Sequence, residues 1–299
     1  MSDPRVLPVV QSGPAPLGKP IFDRIAVVGL GLIGGSIALS ARRAWPASLV
    51  IGVDRNEVLE QAIRLHAVDV AADDLTIAAE ADLVVLAAPV REILALVAEL
   101  PDRVRTSAVI TDVGSTKRAI VDAARALPSR LSFVGGHPVA GMARSGLAAA
   151  RPDLFAGRRW IFTPEADAPE DVVERLFAFA SALGAEPCRM TAADHDRVLA
   201  FTSHLPQLVS TALMLAVGES VGAGGLRMAG TGLRDTTRLA ESPVSVWPDI
   251  CATNADEIGP ALDQLIALLG SLRESLTSAE AIEDLFTSAN AWRGKLSGS

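Results

Sequence analysis

Gly29, Gly31 and Gly34 form a Gly-x-Gly-x-x-Gly run, with Leu32 and Ile33 inside it. Each glycine has a task if the ligand is a dinucleotide. The first allows a tight turn, the second lets the backbone approach a pyrophosphate, and the third lets a helix pack close on a strand. The pattern is weak alone, but here it follows an apolar stretch, 21–28, and opens a helical one. A helix N-terminus then faces the anionic pyrophosphate. Asp54 ends the next apolar run, about 20 residues further on, where a carboxylate accepts hydrogen bonds from an adenosine ribose. It favours NAD because it would repel the extra phosphate of NADP. The neighbouring Arg55 keeps NADP open as the alternative. Ala88 and Pro89 form a small-residue exit that lets a cofactor lie close to the backbone.

A second set of residues follows later apolar runs. Thr111-Asp112-Val113-Gly114-Ser115-Thr116-Lys117 ends one, and Gly135-Gly136-His137-Pro138 ends the next. Ligands of open α/β sheets bind outside the carboxyl ends of the strands, so Ser115 and His137 stand where chemistry is expected. A neutral imidazole titrating at about pH 6.5 suits proton transfer. Among the chain's four histidines, His66 reads as a surface residue. His195, between Asp194 and Asp196, reads as structural at a domain junction. His204 is either a site residue or a buried helix histidine satisfied by a neighbour.

These residues need a frame. Apolar runs at 21–28, 49–54, 83–87, 108–111 and 132–134 alternate with helical stretches at 36–44, 57–65, 90–98 and 116–126. Such alternation predicts an α/β fold with a doubly wound, Rossmann-like parallel sheet covered on both faces. Strands at 160–163 and 186–190 bracket a helix at 170–183, so the dinucleotide-binding domain is expected to span 21–190. The pattern from 191 to 299 is helical. A long, mostly apolar helix is expected at 193–218, with others at 257–269 and 280–292. Thr277 and Glu280 suggest a capping box for the last. A helix apolar nearly all round must be buried. About 110 residues offer too little to cover several of them, so a homodimer is expected, with this domain joining the copies.

Composition narrows the partners. The 299 residues fit two domains of about 150 and leave no room for an appended regulatory module. Lys and Arg total 27 against 35 Asp and Glu, a net charge of −8, and aromatics are 4%. Neither a basic footprint nor a stacking platform for nucleic acid is evident. Cys188 and Cys251 fall in no CxxC or Cys/His array, so no disulfide framework and no metal are expected. No apolar run approaches the roughly 18 residues of a membrane span. Residues 1–20 hold five prolines, lack a secretion signal and read as a flexible tail. The expected location is the cytoplasm.

Five motifs in order carry a resemblance. They are Gly-Leu-Gly-Leu-Ile-Gly-Gly-Ser at 29–36, Asp-Val-Gly-Ser-Thr-Lys at 112–117, Gly-His-Pro-Val-Ala-Gly at 136–141, Ser-His-Leu-Pro at 203–206 and Arg-Asp-Thr-Thr-Arg at 234–238. Together they resemble the prephenate/arogenate (cyclohexadienyl) dehydrogenase family of tyrosine biosynthesis, over about 21–292. The resemblance implies NAD(P)-dependent oxidative decarboxylation, of arogenate to tyrosine or of prephenate to 4-hydroxyphenylpyruvate. By similarity, His137 takes or shares the hydroxyl proton, and Ser115 bonds the same hydroxyl or His137. Arg238 would hold a substrate carboxylate by a forked contact. His204, Gln207, Asp235 and Trp247 complete the implied substrate set. Residue by residue, Asp235 and Arg238 could instead pair with each other on a helix. Trp247 could be only an anchor beneath Pro248.

Two positions depart from the family pattern. Gln207 stands where many members have a second histidine, and Met142-Ala143 where many have Thr-Glu. Neutral residues there should alter how the substrate side chain is read, which favours arogenate or acceptance of both substrates. The nearest rival, a β-hydroxyacid-type dehydrogenase, would need a lysine on a helix after the cofactor domain. This chain has only Lys19, Lys117 and Lys295. A non-catalytic NAD-binding protein would not need Ser115, His137 and Arg238 together. The ligands are anions and the chain is acidic, so binding must rest on local positive potential. Its sources would be the helix start at 31–35 and Arg238, helped by Arg234 and Arg144.

Overall fold

The computed structural model describes residues 18–141 and 145–297. Most of the 1–20 tail lies outside the described residues, as do Met142, Ala143 and Arg144. Eight strands form one sheet: β1 (Arg24–Val28), β2 (Leu49–Val53), β3 (Val70–Ala72), β4 (Leu83–Leu86), β5 (Ala108–Asp112), β6 (Leu131–Pro138), β7 (Arg159–Thr163) and β8 (Glu186–Arg189). Their order is β3-β2-β1-β4-β5-β6-β7-β8. The first six are parallel, β7 runs antiparallel to β6, and β8 is parallel to β7. The order reverses between β1 and β4, and the crevice at such a switch point is where a doubly wound sheet binds its ligand.

The strands are apolar on both faces because both faces are covered. Ile25 and Val27 of β1, with Leu83 and Val85 of β4, face one core. The alternate residues Ala26, Val28, Val84 and Leu86 face the other. Helices α1 (Leu32–Ala44) and α5 (Glu170–Ala182) close the first core, through Ile37, Ala41, Leu176 and Phe179. α3 (Val90–Arg103) and α4 (Arg118–Ala124) close the second, through Ile93, Val97 and Ile120. The short helix α2 (Asn56–Arg64) follows β2.

β6 departs from expectation in a way that matters. The apolar run suggested 132–134, with His137 beyond its end. The strand in fact continues to Pro138, because its last four residues leave β5 and pair with β7, His137 opposite Ile161. His137 is therefore held on a strand, not on a loop. The three-residue β3 had no sequence signal long enough to reveal it.

Beyond the sheet lie α6 (Ala192–Leu199), a π-turn (Ala200–His204) and α7 (Leu205–Leu226), which run on as one helix until Gly222, at φ +61° and ψ −178°, kinks α7 near its end. The wide turn has a local cause. Pro206 has no N–H, and in a regular α-helix its ring would strike the carbonyl four residues earlier. Then come α8 (Thr231–Thr236), α9 (Trp247–Thr253), α10 (Ala255–Glu274) and α11 (Ala279–Ser297). The expected Thr277 cap is corrected: α11 starts at Ala279, and Ser278 Oγ accepts the Ala281 N–H at 3.3 Å. Among the described residues of this half, the buried apolar cluster is small, made of Ala200, Ile250 and Ile258. Phe286 (63%), Trp292 (70%) and Ile266 (62%) remain exposed. An 18-residue stretch within Ala192–Leu226 has mean hydropathy 1.4, so by length and composition alone this helix could cross a membrane. Its first third instead carries polar side chains into the cleft described next.

Candidate active site

A cleft of about 510 Å³ opens where the sheet meets the helical half. One wall is the glycine-rich turn after β1, with Gly31, Leu32 and Ile33, faced by Ala88 and Pro89 after β4. Gly29 has φ +94°, and a Cβ there would lie 2.4 Å from the Ala87 carbonyl oxygen. A Cβ on Gly34 would lie 1.9 Å from the Gly29 carbonyl oxygen. Gly31 is different: nothing stands within 4 Å of a Cβ built on it, which leaves room for a ligand. α1 starts here with no acidic residue in its first turn and no side-chain cap, so its N–H groups remain free for an anion. The Asp54 carboxylate braces the turn by accepting the Leu30 N–H at 2.6 Å and the Arg55 N–H at 2.7 Å. These features fit a dinucleotide. Gly34→Val is expected to weaken NAD binding by about 10-fold or more, or about 1.4 kcal/mol. Titration of cofactor fluorescence measures this, with a melting curve to confirm that the variant folds. Unchanged affinity would show that α1 does not need its close approach.

The opposite wall holds the chemistry. His137 Nδ1 lies 2.8 Å from His195 Nε2, and His195 Nδ1 lies 2.8 Å from Asp196 Oδ1. His195 and Asp196 are fully buried, and His137 lines the cleft. Burial works against charge on Asp196. The His195 bond and the N–H groups of Arg118 and Lys117 outweigh it and hold the carboxyl below its ordinary value. Burial holds His137 well below its usual pKa, with the neighbouring His195, Lys117 and His204 acting in the same direction. His195 is lowered as well, chiefly by burial, against the pull of Asp196. An ionised Asp196 can only accept, so His195 carries its proton on Nδ1 and leaves Nε2 as an acceptor. His137 must then donate from Nδ1, and its Nε2 is a bare lone pair.

Two cations organise this chain. The buried Lys117 pairs with Asp112, and its Nζ donates to the Gly136 carbonyl at 2.9 Å, one residue before His137. Its backbone N–H donates to Asp196 Oδ1 at 2.7 Å. Arg118 donates to Asp196 Oδ2 from its backbone at 2.9 Å, and forks onto Asp256 at 2.6 Å. The sequence offered no signal for most of this. His195 was expected to be structural, yet it is the link that orients His137. The two are 58 residues apart, and only the fold brings them together.

Ser115, Ser203, His204 and Trp247 also line the cleft. Ser115 makes no hydrogen bond to His137 or to any other described residue, so its hydroxyl is left for a ligand. The His204 ring lies edge-on to Trp247, with centroids 6.3 Å apart. Gln207 is placed differently. It is buried and bonds the Leu239 carbonyl at 2.7 Å and Ser242 Oγ at 2.9 Å, thereby fixing the turn that follows Arg238. Asp235 and Arg238 are exposed, outside the cleft of a single chain, and make no ion pair with each other.

Residues 37–188 match the family model "Prephenate dehydrogenase, nucleotide-binding domain", and residues 191–289 match "Prephenate dehydrogenase, dimerization domain". The chain belongs to the prephenate dehydrogenase family. It is 38% identical to the prephenate dehydrogenase of Bacillus subtilis (strain 168), over 88% of this chain and 72% of the relative. A Synechocystis arogenate dehydrogenase structure superposes with a TM-score of 0.78 at 31% identity, covering 91% of this chain and 99% of that one. The A. aeolicus prephenate dehydrogenase, in complex with hydroxyphenyl propionate and NAD+, gives 0.83 at 28%, covering 92% and 98%. As a member of the prephenate dehydrogenase family, the chain is an NAD-dependent oxidoreductase. Its exposed apolar helices belong to a dimerisation domain, which supplies the homodimer that their composition demanded.

Proposed function

We propose that this enzyme oxidatively decarboxylates arogenate, prephenate or both, with His137 as the proton acceptor. The observation that carries the reading is the Asp196–His195–His137 chain, which leaves Nε2 of His137 unprotonated. NAD, when bound, accepts the hydride from the carbinol carbon. His137 Nε2 takes the hydroxyl proton as that hydride leaves. The ring carboxylate departs as CO2, and its bonding electrons complete the aromatic ring. The resulting phenolate regains the proton from His137, so no net proton is released. Ser115 holds the same hydroxyl, and Trp247 and His204 bound the ring. Arg238 holds a carboxylate once the second copy shapes that side of the site.

The cofactor unit is assigned to 21–190 and the helical substrate and dimerisation unit to 191–299. The enzyme is soluble, and we place it in the cytoplasm. The absence of an ionisable residue at 207 favours arogenate or dual use, acting through the Leu239–Ser242 turn that Gln207 holds rather than by contact in the cleft. NADH formation measured with each substrate tests both levels. Comparable kcat/KM values, or a higher one for arogenate, are expected. A large preference for prephenate would overturn the specificity. No NADH with either substrate would leave an NAD-binding protein without this activity.

A further inference from the structure

His204 has a fixed polarity, set by a residue outside the motif that contains it. Asn254, between α9 and α10, is fully buried. Its Oδ1 accepts from Arg118 Nη2 at 2.9 Å. Its Nδ2 lies 2.9 Å from the Asp196 carbonyl oxygen and 3.2 Å from His204 Nδ1. The guanidinium can only donate and the carbonyl can only accept, so the amide has one admissible orientation. Its two N–H groups therefore point at the carbonyl and at His204 Nδ1. A proton on that nitrogen would set two donors against each other in a buried place, at the cost of an unsatisfied group. His204 Nδ1 is thus the acceptor and Nε2 carries the hydrogen.

We infer that Asn254, itself fixed by Arg118, is a positioning residue that makes His204 a hydrogen-bond donor toward an anionic or carbonyl oxygen of the substrate. The two cleft histidines then have opposite polarity: His137 presents a lone pair and His204 presents N–H. Arg118 stands behind both, through Asp196 for the first and Asn254 for the second. A base and a donor facing one substrate can engage a hydroxyl proton and an oxyanion together, without competing for the same atom. Burial agrees with a neutral ring, bringing the His204 pKa down to about 4. Asp196 and His195 on α6 act on it in opposite senses.

This inference rests on the proposed reaction only for what His204 faces; the position of the proton can be read without substrate. With nitrogen-15 histidine in the whole dimer, only four residues contribute. At pH 7, His204 should show a pyridine-type Nδ1 and a pyrrole-type Nε2, and His137 the reverse. In Asn254→Asp the His204 proton should move to Nδ1. Substrate KM should then rise by about 10-fold or more, the loss of one charge-assisted bond. kcat and the KM for NAD should change little. The defect should shrink at acid pH, where His204 gains a second proton and Nε2–H returns. A wild-type His204 protonated on Nδ1 would overturn the inference, even if the variant fails to fold. So would a folded variant with unchanged substrate KM at every pH. Absence of NADH formation with either substrate would overturn the functional reading instead, with the spectrum still deciding the tautomer.

Discussion

Replacing His137 by asparagine is expected to lower kcat by about 10²–10⁴-fold, the range supplied by a positioned general base. The asparagine oxygen can accept a hydrogen bond but cannot carry the proton away from the substrate hydroxyl. KM for NAD should change little, because the glycine-rich turn and Asp54 lie on other strands. The wild-type pH profile sharpens the test. His137 is held well below its ordinary pKa by burial, so it stays unprotonated through neutrality and well into the acid range. kcat should therefore stay flat from pH 8 to below about 6.5, the ordinary histidine value. An acid limb at or above that value, or a His137→Asn variant with wild-type kcat, would remove His137 from the role.

Stability should depend on pH for the same reason, with a definite sign. His137 and His204 are lowered in the folded state, the latter to about 4, and regain the ordinary value of about 6.5 on unfolding. Above about pH 6.5 both states bind the same protons. Below it the unfolded chain takes up protons that the folded one refuses, so stability falls as pH drops. At pH 5 His204 alone should cost about 2 kcal/mol per chain, and His137 and His195, lowered in the same direction, add to that loss. Asp196 adds to the loss only below about pH 4, its own unfolded range. Urea midpoints at pH 7.5 and 5, at one protein concentration, measure the difference. An unchanged midpoint would mean that these rings accept protons in the folded state.

Much of the frame was legible because its signals are local. Ile25 to Val28 are continuously apolar since both faces of β1 are buried, and Gly34 has one reason to be glycine. His137 could be singled out from the glycines before it, although its strand could not. The length of β6 depends on pairing with β7, a contact that no run of residues announces. The supports of the site were illegible for the same reason. His195 bonds Asp196 beside it, which a sequence reader takes as a structural pair, while its other nitrogen serves a residue on a distant strand. Asn254 has no pattern at all: its importance lies in being buried among a guanidinium, a carbonyl and an imidazole. Gln207 was noticed for its type, but its bonds run to the Leu239–Ser242 turn rather than into the cleft of this chain.

The π-turn at Ala200–His204 has a consequence for how the two halves of this enzyme could have diverged. One extra residue in a turn rotates everything after it by about 100° relative to everything before it. Upstream, the helix fixes His195 and Asp196 against the sheet; downstream, α7 runs on through the dimerisation domain. The insertion therefore works as a phase shifter between chemistry and assembly. Deleting a single residue there would leave a more regular helix, yet either the His195–Asp196 pair or the rest of the dimerisation domain would point the wrong way. Change can accumulate on both sides of the turn, but its count of residues is locked by geometry.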